Sequence, residues 1–69
     1  MRLFFLVRHK DISGVSGTGV VAEGVVFSDG VTVLRWLGSA HPSTNIYEDI
    51  EDLQRVHGHD GLTEVRFIS

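Results

Sequence analysis

Cysteine is absent, which removes disulfides and thiolate zinc sites together as sources of stability. Cationic residues are few. Six Lys and Arg stand against nine Asp and Glu, for a formal net charge of -3 and a pI near 5.7. A protein that lives on duplex DNA ordinarily presents a basic face. Here the cations are scattered along the chain, so duplex DNA is disfavoured as a partner. Long apolar runs are missing as well. None approaches the roughly 20 residues of a membrane-spanning helix, and no membrane partner is expected. The opening Met-Arg-Leu-Phe-Phe-Leu-Val-Arg is too short for the apolar core of a signal peptide and is closed by Arg8. Without cysteine or a signal, a cytoplasmic location is expected.

What remains is a 69-residue chain with 42% hydrophobic residues, enough apolar content for one globular domain spanning residues 1–69. A chain of this size buries only roughly 60% of the surface its unfolded form exposes. Small domains therefore add a disulfide, a metal or a partner subunit. With disulfides excluded, a homo-oligomer is the expected support.

Residues 2–8 form a short apolar run flanked by Arg2 and Arg8, which predicts a buried strand. With Phe4, Phe5 and Leu6 in succession, this strand is apolar on both faces. It is therefore expected to be central in its sheet or wedged against a second chain. Residues 11–19 carry three Gly and three hydroxyl side chains, the composition of a loop or bulged bend. The Val-rich run 19–28 and the run 31–37 are joined through Ser28-Asp29-Gly30, a strong hairpin signal. A two-residue turn would set Glu23 against Trp36. A three-residue turn with a bulge sets Glu23 against Arg35 and Trp36 against Ala22. The second register is preferred because it pairs opposite charges and gives the indole a shallow neighbour.

Residues 38–46 are read as an irregular crossover. A helix is expected over 47–57, with Ile50, Leu53, Val56 and His57 on one face. Its acids at 48, 49, 51 and 52 precede Arg55 and His57, with Gly58 as the cap, an order that complements the helix dipole. Asp60-Gly61 then leads into a last strand at 63–68. The expected fold is α+β: a small antiparallel sheet or partly open barrel of about four strands, with one short helix in the C-terminal half.

Gly-Val-Ser-Gly-Thr-Gly-Val-Val-Ala-Glu-Gly-Val (14–25), Phe-Ser-Asp-Gly (27–30), Leu-Arg-Trp (34–36), Pro-Ser-Thr (42–44) and Val-His-Gly-His-Asp-Gly (56–61) occur together. In this combination the chain resembles a family of short proteins of bacteriophages and actinobacterial genomes. The likeness covers nearly the whole chain. It implies an accessory product of a phage or mobile element, located in the host cytoplasm, and transfers no catalytic residue. By analogy, such products work by binding, in host takeover or counter-defence.

Three groups of residues could carry chemistry. The Gly-rich segment offers backbone N–H groups with Ser13, Ser16 and Thr18, preceded by Arg8, His9 and Lys10. Together they could cradle a phosphorylated ligand. The segment lacks the Gly-Lys-Ser/Thr of a phosphate-binding loop and leads into a strand, so a plain structural bend ranks first for it. Arg35 and Trp36, with Tyr47, could stack a base, although a Trp in so small a domain serves first as a core anchor. His57 and His59, with Asp60 or His41, are weak metal candidates, each with an ordinary role at a helix end or turn. No catalytic residue is assigned, and no cofactor is expected. The leading reading is a non-catalytic protein that binds a host protein or a small phosphorylated ligand. One alternative is a small barrel that binds single-stranded nucleic acid through Arg35, Trp36 and Tyr47. A second is a metal-dependent enzyme with its site at a subunit interface.

Overall fold

The computed structural model describes residues 1–9, 19–38, 42–57 and 63–69. Five strands and one helix occur in it: β1 (Arg2–Arg8), β2 (Gly19–Val26), β3 (Thr32–Trp36), β4 (Thr44–Tyr47), α1 (Ile50–His57) and β5 (Thr63–Phe67). All pairings are antiparallel, and the spatial order is β4-β3-β2-β1-β5. The first four strands form a meander. The chain then crosses through α1 and returns to place β5 beside β1. The sheet is open, so the barrel alternative falls away.

The hairpin takes the charge-paired register: Glu23 opposes Arg35, and Ala22 opposes Trp36. The Gly30 amide donates to the Phe27 carbonyl at 2.9 Å, and Phe27 N donates to Val31 O at 2.9 Å. The turn is closed at Gly30, whose φ of 98° lies where a Cβ is unfavourable. Asp29 Oδ1 accepts from Val31 N at 3.1 Å, which secures the turn from its side chain. On the other edge of β2 the register with β1 shifts between Leu6 and Val7. This bulge turns Val21 inward alongside Ala22.

Two expectations need correction. The segment 38–46 is not wholly irregular, because Thr44–Tyr47 forms a fifth, edge strand. Its pairing with β3 continues through Trp36 N donating to Ser43 O at 3.0 Å. Tyr47 therefore ends a strand instead of starting the helix. The helix begins three residues later, where Asp49 Oδ1 accepts from Asp52 N at 2.8 Å as an N-cap. Within α1, Leu53 is fully buried and Ile50 packs against the core, but Val56 is exposed. Gly58 and Asp60-Gly61, expected as cap and turn, lie outside the described residues.

Alternation along the strands gives the sheet two unlike faces. The helix-covered face holds Phe4, Leu6, Val21, Ala22 and Leu34, closed by Leu53. Phe4 needs a flat neighbour. It lies over Gly24, where a Cβ would come within 2.2 Å of the Phe4 ring. The opposite face carries Leu3, Phe5, Val25, Val33 and Ile46 and has no element of the described chain across it.

Candidate functional site

Arg8 ends β1 on the helix-covered face and is only 7% exposed. Its Nε has no hydrogen-bond partner, and it forms no ion pair among the described residues. Burying part of an unpaired cation carries a cost, and here the buried Nε meets no hydrogen-bond acceptor to offset it. Thr63 is its register partner on β5. The Thr63 hydroxyl is likewise buried and without a partner. The Arg8 guanidinium carbon sits 5.9 Å from the Trp36 ring centroid, within cation–π range. Arg8 thus stands between the buried Thr63 hydroxyl, its register partner, and the Trp36 ring.

Trp36 is half-buried and packs against the core, as expected of an anchor. It also meets His57, ring centroids 5.1 Å apart and edge to face. His57 Nε2 also lies 2.6 Å from the Tyr47 hydroxyl. With the Asn45 amide oriented to satisfy both its groups, its oxygen accepts from Trp36 Nε1 at 3.1 Å. The indole is fixed on one edge by β4 and on another by the C-terminal turn of α1. Its orientation is therefore set before any ligand arrives.

The structure brings some of the expected site residues together and separates others. Arg8, Trp36 and Tyr47 share the helix-covered face. Arg35, next to Trp36 in sequence, points to the opposite face, where its Nη1 donates to Thr44 Oγ1 at 2.8 Å. His9 likewise parts from Arg8. Its Nε2 lies 2.8 Å from Glu64 Oε1 on β5. Glu64 also pairs with Arg66. The Arg66 hydrogen bond, and after it the one from His9, holds the Glu64 carboxyl below its ordinary value of 4.5. Lys10, Ser13, Ser16 and Thr18, and the metal candidates His59, His41 and Asp60, lie outside the described residues. Among the described residues no three His, Asp or Glu side chains converge as a metal site requires, and no helix is long and apolar enough to cross a membrane. Thr63 is not among the residues that the sequence singles out. Nothing in a lone Thr at a strand start signals it, and only the pairing of β5 with β1 places it beside Arg8.

No curated protein and no solved structure matches the chain. A model described as Acb5 phage protein matches it over residues 1–69, and the chain belongs to that phage protein family.

Proposed function

We propose that this phage protein acts by binding, without turnover, and that its ligand is a small phosphorylated molecule held at the Arg8 end of the helix-covered face. The observation that carries this reading is the buried Arg8 guanidinium with no acidic partner among the described residues. A planar fork of donors matches phosphate oxygens in pairs, and the Thr63 hydroxyl adds one more donor beside it. A base stacked on the part of Trp36 that remains exposed would favour a nucleotide over inorganic phosphate. A net charge of -3 argues for a small ligand over a long polyanion. Withholding such a molecule from a host pathway is a counter-defence role suited to a cytoplasmic phage product. The single-strand reading relied on Arg35 beside Trp36, and these side chains occupy opposite faces.

Thermal melts with a panel of ribonucleotides and inorganic phosphate test the reading. Wild type is expected to melt several degrees higher with a bound nucleotide, since ligand at about 100 times its Kd adds about 2.7 kcal/mol. Arg8→Met removes the unpaired charge at similar volume. It is expected to keep or raise the unliganded midpoint while abolishing the nucleotide response. A wild-type midpoint unmoved by every probe at millimolar concentration would sink the reading. So would an Arg8→Met protein that responds as strongly as wild type.

A further inference from the structure

The sheet face with no described element across it has an ordered pattern. One row, Ile46–Val33–Val25–Leu3–Ile68, runs apolar across the whole width of the sheet. Ile46, Ile68 and Leu3 are 73%, 53% and 44% exposed. The next row reads Thr44–Arg35–Glu23–Phe5–Arg66. Between these rows lies a shallow depression of about 420 Å³, lined by Leu3, Phe5, Val25 and Val33 with Glu23 and Arg35 at its rim. Glu23 and Arg35 are direct cross-strand neighbours, yet they form no ion pair, and Glu23 has no ion pair among the described residues. Arg35 turns instead to Thr44.

We infer that this face docks a second copy of the same chain, as a two-sheet sandwich around a two-fold axis. Let the axis run parallel to the strands, between β2 and β3 and midway between the sheets. Glu23 of one copy then stands opposite Arg35 of the other, and Arg35 opposite Glu23. The same operation sets Val25 against Val33 and Leu3 against Ile46. The pattern is self-complementary, as an isologous interface demands. A crossing near 30° between packed sheets displaces the outermost pairs but keeps the pairs beside the axis facing. The face measures about 24 by 20 Å from strand spacing and rise. Side-chain relief takes its accessible area towards the roughly 600 Å² per partner at which specific interfaces begin. A 69-residue chain without cysteine also has a physical need for this second core. The dimer face is opposite the Arg8 site, so the inference stands independently of the proposed ligand.

Native mass spectrometry and sedimentation test it with a charge exchange across copies. Wild type is expected to be a dimer at micromolar concentration. Glu23→Arg alone and Arg35→Glu alone each set like charges opposite one another twice per dimer, and each is expected to weaken association by about 100-fold or more. An equimolar mixture of the two variants restores both opposite-charge contacts and is expected to give heterodimer. A change confined to one chain's own fold would not produce that rescue. Ile46→Asp, at an exposed edge position, is expected to weaken the dimer while the chain retains its circular dichroism. A monomeric wild type, or variants that associate as wild type does, overturns the inference. So does a mixture of folded variants that stays monomeric.

Discussion

At the scale of single residues, glycine and arginine decide more than their size suggests. Gly24 is the floor on which Phe4 lies, and its missing Cβ is a packing requirement: an added one would stand 2.2 Å from Phe4 Cζ and 2.7 Å from the Val33 carbonyl oxygen. The backbone oxygen cannot move without disturbing the β2–β3 ladder, and the ring is fully buried. Gly24→Ala is therefore expected to destabilise the fold by about 1–3 kcal/mol, read as a lower urea midpoint with an unchanged slope. A midpoint equal to wild type would show that Phe4 has another rotamer available. Arg8 works in the opposite sense. Its buried Nε has no hydrogen-bond partner, and the proposed ligand supplies one.

At the scale of elements, the hairpin was legible in the sequence because two independent signals agreed. Asp29-Gly30 located the turn, and the Glu23–Arg35 pairing chose the register. The first and last strands were equally plain from apolar runs bounded by charge or turn residues. Strand β4 was not. Thr44-Asn45-Ile46-Tyr47 is short and follows Pro42. Its Asn45 is a poor strand former that earns its place by accepting from Trp36 Nε1. Its Ile46 faces outward, so the segment lacked the inward apolar alternation that marks a half-buried strand. The site was harder to read. Strand alternation alone separates Arg35 from Trp36 and Arg8 from His9, a signal present in the sequence once these residues are assigned to strand positions or strand ends. The meeting of Arg8 with Thr63, and of Trp36 with His57, depends on β5 and α1 returning to the sheet, which no local pattern encodes. The helix start was misplaced because four acids gave several possible caps, and Asp49 alone contacts the Asp52 amide. Asp49→Ala is expected to cost about 1 kcal/mol. Glu48→Ala, one residue earlier, is expected to cost little, and equal losses for both would remove Asp49 from the cap.

At the scale of the whole molecule, the sheet separates two tasks. One face is closed by α1 and carries the Arg8 site at its end; the other carries an apolar row beside a charged one and has no described element across it. The described core consists of six buried apolar side chains packed in one cluster, a small reserve against the conformational entropy of 69 residues. No second apolar layer is present among the described residues, and another chain can supply one. Stability should therefore be linked to association. For a folded dimer in equilibrium with unfolded monomers, mass action makes the melting temperature fall on dilution. Wild type is expected to melt several degrees lower at 1/100 of its starting concentration. Glu23→Arg, monomeric at both concentrations, is expected to melt near the same lower temperature whatever the dilution. If the wild-type midpoint does not move, the open face contributes nothing to folding, and the core on the helix side must sustain the chain alone.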